Sequence, residues 1–490
     1  MVGNGDTGDS ANGDRGLRRL AAGTLLASFH GMTAPDWVRH ELAAGLGGVT
    51  LFGFNVSSPT QLLDLTSAMK AAGEPVVSLD EEGGDVTRLA YHVGSPCPGN
   101  AALGAVDDVE LTAQVYRAIG AELAACGVNL DMAPDADINV ADDNPVVGTR
   151  SFGKDTGLVA RHTAAAVRGL ESVGVAACVK HFPGHGATTV DSHLALPVVD
   201  VSVDELRARE LVPFIAAIEA GTKSIMTAHV AVPSLTGSEP ATLSDAALTT
   251  LLRRELGYDG VVVTDALDMH AIIGGVGLIG GAVRSIAAGA DLLCLGPAPD
   301  QHDITRIIDG IIAAVRDGDL PGERLEEAAD RVARLHAWFR ASAGSGAVGA
   351  REVIGLDAAR RAVRLTGTVT PLVDPFVVEV DTPPNIAAGE VPWGVAPWLP
   401  TAEVLRVRAA EADTADLLAR AAGRSLVVVL KDAHRHADSR ELVSTLVAAR
   451  PDTTVIEMGI PAWRPDGVAH IATYGAARVN ARAAAELLTA

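Results

Sequence analysis

Along the first two-thirds of the chain, a short apolar or β-branched run, a turn and a longer Ala/Leu/Glu/Arg-rich segment recur eight times. The apolar runs occupy residues 20–29, 48–54, 75–80, 127–132, 174–180, 222–228, 260–264 and 290–295. They lack polar/apolar alternation, which suits parallel strands covered on both faces. The segments between them, such as 203–220, space apolar residues at helical intervals. Eight βα units in about 320 residues predict a (β/α)8 TIM-type barrel. A doubly wound open sheet is the competing arrangement. Polar residues cluster directly after most of the runs, and this favours the barrel.

The pattern stops near residue 340. ASAGSGAVGA, residues 341–350, has the composition of a linker. Beyond it, apolar runs at 375–380, 425–430, 454–458 and 468–473 alternate with helical segments and predict a smaller α/β sandwich domain over 351–490. The Pro- and Trp-containing stretch 382–400 reads as a packed loop between domains. Residues 1–16 are rich in Gly, Asn, Asp and Ser and are expected to be disordered, which leaves 17–340 for the catalytic barrel domain.

Composition narrows the classes. The 490 residues, 48% hydrophobic, suffice for one large core and a second smaller one. With 39 Lys and Arg against 61 Asp and Glu, the net charge of −22 argues against nucleic acid as a partner. No run of about 18 apolar residues is present to span a membrane. The opening MVGNGDTGDSANGDRGLRRL has no apolar stretch ahead of a cleavage site, so the expectation is a cytoplasmic protein. Cys97, Cys126, Cys178 and Cys294 are far apart without CxxC spacing, and read as unbridged thiols, most of them small buried hydrophobes. Five Trp, four Tyr and eight Phe leave little for an aromatic platform and fit a small pocket better than a polymer-binding cleft.

In such a barrel the chemistry lies at the C-terminal ends of the strands. The third run is followed by Asp80, Glu81, Glu82, Gly83 and Gly84, with Arg88 further on. Asp131, Asp135, Asp137 and later Arg150 follow the fourth. Lys180, His181, His185 and the Asp191-Ser192-His193 triplet follow the fifth. His229 ends the sixth, and Asp265 the seventh. Each alone has a plain explanation: an Asp there caps a helix, Asp268 starts the next helix, Lys180 completes a salt bridge, His185 braces a loop, His229 is a satisfied core histidine. Their gathering on one rim is the signal. Metal-dependent hydrolysis would use His181, His185 and His193, but the chain's only HxH pair, His434–His436, lies in the second domain. Schiff-base chemistry needs Lys180 neutral, and a rim of carboxylates keeps it charged. Glycoside cleavage needs a carboxylate at the anomeric carbon and a proton donor for the leaving oxygen. Asp265 and the Asp191–His193 pair fit those two roles.

KHFPGHG at 180–186 followed by DSH at 191–193, with DEEGG at 80–84 and TDALDM at 264–269, resembles glycoside hydrolase family 3. Within it, the motifs are similar to the β-N-acetylglucosaminidases that include bacterial peptidoglycan-recycling enzymes. The resemblance covers residues 20–340, and TYGAARVNARA at 473–483 extends it to the family's C-terminal α/β domain. It implies a retaining, exo-acting enzyme that removes non-reducing terminal β-linked N-acetylglucosamine from small peptidoglycan or chitin fragments, with neither metal nor organic cofactor. By the same resemblance Asp265 is the nucleophile, His193 the general acid/base and Asp191 its orienting partner. Asp80, Arg88, Arg150, Lys180 and His181 stand where family members bind the terminal sugar. A histidine acid/base does not repel an anion, so phosphorolysis with phosphate as acceptor remains an alternative. A catalytically silent sugar-binding protein is another. Two positions depart from the family pattern: Asp85 stands where a basic residue is common, and Ala266 where a second acid is.

Overall fold

The computed structural model describes residues 7–192, 195–342, 349–384 and 386–489. Each of the eight runs carries one strand: β1 (Leu25–Ala27), β2 (Gly48–Thr50), β3 (Val76–Leu79), β4 (Leu130–Asp131), β5 (Ala176–Phe182), β6 (Ser224–Thr227), β7 (Val261–Val263) and β8 (Leu293–Cys294). All pair in parallel, in the order β7-β6-β5-β4-β3-β2-β1-β8. A parallel bridge from Val263 to Leu292 joins the two ends of that order, and Thr264 N–H donates to the Leu292 carbonyl at 3.0 Å. The sheet therefore closes into a barrel, and the open-sheet alternative is set aside.

Successive strand residues serve two cores. Leu26, Val76, Leu130, Cys178, Met226 and Val261 form one cluster in the barrel lumen. Leu25, Val77, Leu79, Val179, Ile225 and Val262 join the larger cluster under the surrounding helices. Both faces are buried, which is why the runs are apolar without alternation. The helix Gly322–Ala341 adds Val332, Leu335 and Trp338 to the lumen cluster. Lys223, immediately before β6, lies 5.4 Å over the Trp338 ring, so this helix plugs the N-terminal mouth. The C-terminal mouth is left for the site.

At the chain start a helix runs from Thr7 to Gly23. The stretch expected to be disordered is thus helical from Thr7, and residues 1–6 lie outside the described residues. The reason is tertiary. Ala21 and Ala22 are core residues with Leu17 and Leu20 packed against them, and the anchored end carries a polar, Gly-containing extension of low intrinsic propensity. Of the expected linker 341–350, residues 343–348 lie outside the described residues, and the next helix spans Arg351–Ala362.

The second sheet has six strands: β9 (Arg364–Thr366), β10 (Phe376–Asp381), β11 (Glu403–Arg408), β12 (Leu426–Leu430), β13 (Thr454–Glu457) and β14 (Ala469–Ala472), in the order β11-β10-β12-β13-β14-β9. Only β9 is antiparallel. Phe376, Val378, Val428 and Leu430 pack on one face with Leu442 and Leu446, while Val377, Val427, Val429 and Ile456 pack on the other with Ala481, Ala484 and Leu488. Helices therefore cover both faces of this sheet. The two strands that apolar runs did not mark, β9 and β11, are the edges, and they carry exposed Arg and Glu. All four cysteines are buried and unbridged. Among the described residues, no helix is long and apolar enough to cross a membrane.

Candidate active site

The loop after β3 is shaped by a carboxylate. Glu81, fully buried, accepts from the Thr87 hydroxyl (2.7 and 2.9 Å) and from the backbone N–H groups of Arg88 (2.8 Å) and Leu89 (2.9 Å). It is held from outside by Arg351, whose Nη2 donates at 2.7 Å while Nη1 reaches Glu122 at 2.8 Å. Gly84, at φ +61°, lets this turn pass Gly99, whose Cα a Cβ there would meet at 2.6 Å. The turn returns Arg88 to the strand end, Nη2 lying 3.4 Å from Asp80 Oδ2. The same guanidinium donates to the carbonyls of Ala387 (2.9 Å) and Ala388 (3.3 Å), so a loop of the second domain also holds it.

Behind Arg88 lies a buried charge network. Lys180 Nζ is 2.6 Å from Asp80 Oδ1 and 2.7 Å from Glu82 Oε1. Arg150 grips Glu82 in two-pronged fashion, Nε to Oε2 at 2.9 Å and Nη2 to Oε1 at 2.8 Å. Burial alone would raise both carboxyls, but Lys180 and Arg88 hold Asp80 below its ordinary range, and Arg150 and Lys180 do the same for Glu82. For Lys180 burial pulls downward, and the two carboxylates outweigh it and push the ammonium up. A Schiff base needs a neutral amine, and the two carboxylates favour the ammonium, which argues against that chemistry.

His181, next along β5, sits beside Asp137, with Nδ1 2.7 Å from Asp137 Oδ2. Asp137 also accepts the backbone N–H groups of His181 (3.3 Å) and His185 (2.6 Å). With its proton on Nδ1, His181 turns Nε2 toward Arg150, whose Nη2 is 3.5 Å away. Burial, with Arg150 next, pushes the His181 imidazole down to about 4, and burial does the same for His185. Both rings are neutral near pH 7. His185 Nε2 meets the Ser192 hydroxyl at 3.1 Å and so ties down the loop that leads through Asp191. Asp135, Asp137 and His181 offer ligand atoms within 4.8 Å of one another. They do not fit a metal: His181 already donates to Asp137, and the Arg150 guanidinium lies 3.6 Å from Asp135 Oδ2, where a cation would sit.

Asp265 follows β7. Its Oδ1 accepts the Ala266 N–H at 2.8 Å, and the Ala266 carbonyl is held by His229 Nε2 at 3.0 Å. His229 is thus a satisfied core histidine that fixes the backbone beside Asp265, with Nδ1 2.7 Å from the Thr242 hydroxyl. Asp268 does not start the next helix; its Oδ2 accepts the Ala298 N–H at 3.0 Å, and the helix begins at His270 after Met269.

Of the residues singled out in the sequence, Asp80, Arg88, Arg150, Lys180, His181 and Asp265 line one cavity of about 520 Å³. Its walls also include Glu82 and His185, and lumen residues Met132, Met226 and Cys294 close its floor. Ile386 and Ala387 of the second domain complete the rim. Asp191 is not on this wall. It lines an adjoining crevice of about 210 Å³ with Asp142, Lys431 and His434, and the two spaces share Arg150 and Ile386. His193 lies outside the described residues. Glu82 was legible only as one of two neighbouring acids. The contribution of the second domain had no local signal. Asp85, the departure from the family pattern, accepts from the Thr149 hydroxyl (2.9 Å) and the Ala476 N–H (2.7 Å), with Lys431 Nζ at 3.8 Å; it binds the domains together.

The "Glycosyl hydrolase family 3 N terminal domain" family model matches residues 31–335. The chain is 35% identical over 343 residues to "Beta-hexosaminidase A" of Pseudoalteromonas piscicida, covering 64% of this chain but only 57% of that protein's length. It is 38% identical over 265 residues to "Beta-hexosaminidase" of Stenotrophomonas maltophilia (strain K279a), covering 53% of this chain and 77% of the other. Among solved structures it is similar to a glycoside hydrolase family 3 β-N-acetylglucosaminidase from Paenibacillus sp. str. FPU-7, with a TM-score of 0.86 and 33% identity over 96% of each chain.

Proposed function

Because the chain belongs to glycoside hydrolase family 3, we propose that it is a retaining, exo-acting hydrolase that removes one non-reducing terminal β-linked N-acetylglucosamine from short peptidoglycan or chitin fragments. The observation that carries this reading is the blind cavity. Asp265 shares a cavity with Asp80, Arg88, Arg150, Lys180 and His181, and lumen residues Met132, Met226 and Cys294 close its floor, which fits a sugar entering end-on. In this reading Asp80 accepts hydrogen bonds from ring hydroxyls, Arg88, Arg150 and Lys180 donate to others, and His181 presents Nε2. Asp265 attacks the anomeric carbon and forms a glycosyl ester as the bond to the leaving oxygen breaks. His193, oriented by Asp191, gives that oxygen its proton. Water then attacks the ester, His193 takes the water's proton, and the sugar leaves with its β configuration.

Proton NMR of an aryl β-N-acetylglucosaminide digest tests the reading, since retention requires the β anomer to appear first. An α anomer formed first would remove the covalent step. Asp265→Ala is expected to lower turnover by at least about 10³-fold, as loss of a nucleophile does; unchanged turnover would take Asp265 out of the reaction. A sugar 1-phosphate in phosphate buffer would make phosphate, not water, the acceptor.

A further inference from the structure

Asp135 has no part in the steps above, yet it lies directly behind the sugar cavity with no exposed surface. Its Oδ1 accepts the Asp137 N–H at 2.9 Å. Its Oδ2 is buried and has no hydrogen-bond partner among the described residues. The groups that face it come from three elements and its own loop: Arg150 Nη2 at 3.6 Å from the turn Gly148–Arg150, His181 Nδ1 at 3.9 Å from β5, Glu82 from the loop after β3, and Asp137 beside it. The guanidinium nearest this unpartnered oxygen is the one clamped on Glu82. Asp135 and Glu82 thus flank the same cation, and only Glu82 has closed the contact.

A buried carboxylate with a donor on only one oxygen is costly, and a proton lowers the cost. We propose that Asp135 is a proton-controlled positioning residue for the sugar pocket: uncharged, it leaves Arg150 on Glu82 and aimed at the sugar, whereas ionised it draws the guanidinium toward itself and weakens binding. Burial first, and then Asp137, push the Asp135 carboxyl up to about 7 against the pull of Arg150 and His181. Burial raises the Asp137 carboxyl as well, but Asp137 accepts three N–H donors where Asp135 accepts one, so the geometry favours Asp135 as the seat of a shared proton. His181 and His185 titrate far lower and do not contribute in this range. The inference rests on the reading of Arg150 as a sugar contact.

Two measurements test it. The first is the pH profile of KM and kcat for the wild type and Asp135→Asn, a neutral isostere. If only the protonated form binds, the wild-type KM rises about five-fold between pH 7 and 8, as the competent fraction falls. The KM of the Asn variant stays flat. The same alkaline rise in the variant, or a uniform loss at every pH, overturns the proposal. The second uses wild-type protein alone. N-acetylglucosamine binding is followed by calorimetry at pH 7.5 in two buffers of different ionisation enthalpy, and proton uptake on binding is expected. Binding without proton uptake overturns the role of Asp135 and leaves the sugar reading standing. No binding at any pH overturns the sugar reading and this proposal with it.

Discussion

Glu82→Gln is the perturbation that most directly tests the charge network. Three cations, Lys180, Arg88 and Arg150, meet two carboxylates, Asp80 and Glu82, in the wall of the cavity. Glu82 is 3% exposed in its side chain and takes hydrogen bonds from two of the three cations, at 2.7 to 2.9 Å. The amide keeps the shape and loses the charge, which leaves Lys180 and Arg88 with Asp80 and leaves Arg150 with only the longer 3.6 Å approach to Asp135. Breaking a buried pair from one side costs about 3–5 kcal/mol, because the remaining charge stays desolvated. Urea unfolding followed by circular dichroism should show a deficit of that size at pH 7. The sign of its pH dependence is set by Glu82 itself. Its folded-state pKa is depressed, so its stabilisation is complete above the unfolded value near 4.5 and is lost as pH falls toward the folded value. The gap between wild type and variant should therefore narrow below pH 4.5. A deficit under about 1 kcal/mol at pH 7, the level of an exposed pair, or one that stays constant down to pH 3.5, would refute the network as drawn.

Other outcomes follow from single contacts. His193→Ala should cost far more turnover with poor leaving groups than with nitrophenol, and equal losses would assign His193 a purely structural role. Ser192→Ala removes the 3.1 Å contact to His185 that ties the Asp191 loop; kcat should fall about five-fold, one hydrogen bond's worth, with the unfolding midpoint unchanged. A shifted midpoint with intact kcat would contradict this. Arg351→Lys can keep Glu81 or Glu122 but not both. It should lose about 1–3 kcal/mol of stability and raise KM, because Glu81 holds the backbone of Arg88; a lower KM would be the wrong sign. Burial pushes the thiols of Cys97 and Cys126 up to about 11 and those of Cys178 and Cys294 up to about 12. Native protein should therefore react with no thiol reagent at pH 8, and one rapidly labelled cysteine would show that its core opens.

The second domain bears on the site through few contacts. Ala387 and Ala388 take the guanidinium of Arg88 on their carbonyls, and Ile386 and Ala387 form part of the cavity rim. Asp85 binds Ala476 N–H and approaches Lys431, and His434 donates to the Asp142 carbonyl at 2.7 Å. The cavity on the barrel is thus framed by a domain that supplies backbone and rim, while its charged groups come from the barrel's strand ends and the loops that follow them.

The eight barrel strands were legible in the sequence because each is buried on both faces, and burial on both faces writes an uninterrupted apolar run. The central strands of the second sheet were legible for the same reason. The edge strands β9 and β11 were not, since one side of an edge meets water and their Arg and Glu residues break the run. The helix from Thr7 was masked by a polar, Gly-containing composition, and packing at its far end overrides that. KHFPGHG, DEEGG and the Asp265 turn marked the barrel mouth by position alone, because the strand ends of a closed barrel converge wherever they occur in the chain. What only the tertiary structure decided is which charge meets which. Glu81 and Glu82 are adjacent and alike, yet one turns to Arg351 and shapes a loop while the other turns to Lys180 and Arg150 and lines the cavity. Asp135 and Asp137 differ by two residues, yet among the described residues Asp137 has donors on both oxygens and Asp135 has one oxygen with none. Arg88 is completed by carbonyls 299 and 300 residues away. Hydrophobic burial is additive along the chain and can be read locally; the balance of a buried charge depends on the few ångströms to its partner, which only the folded arrangement sets.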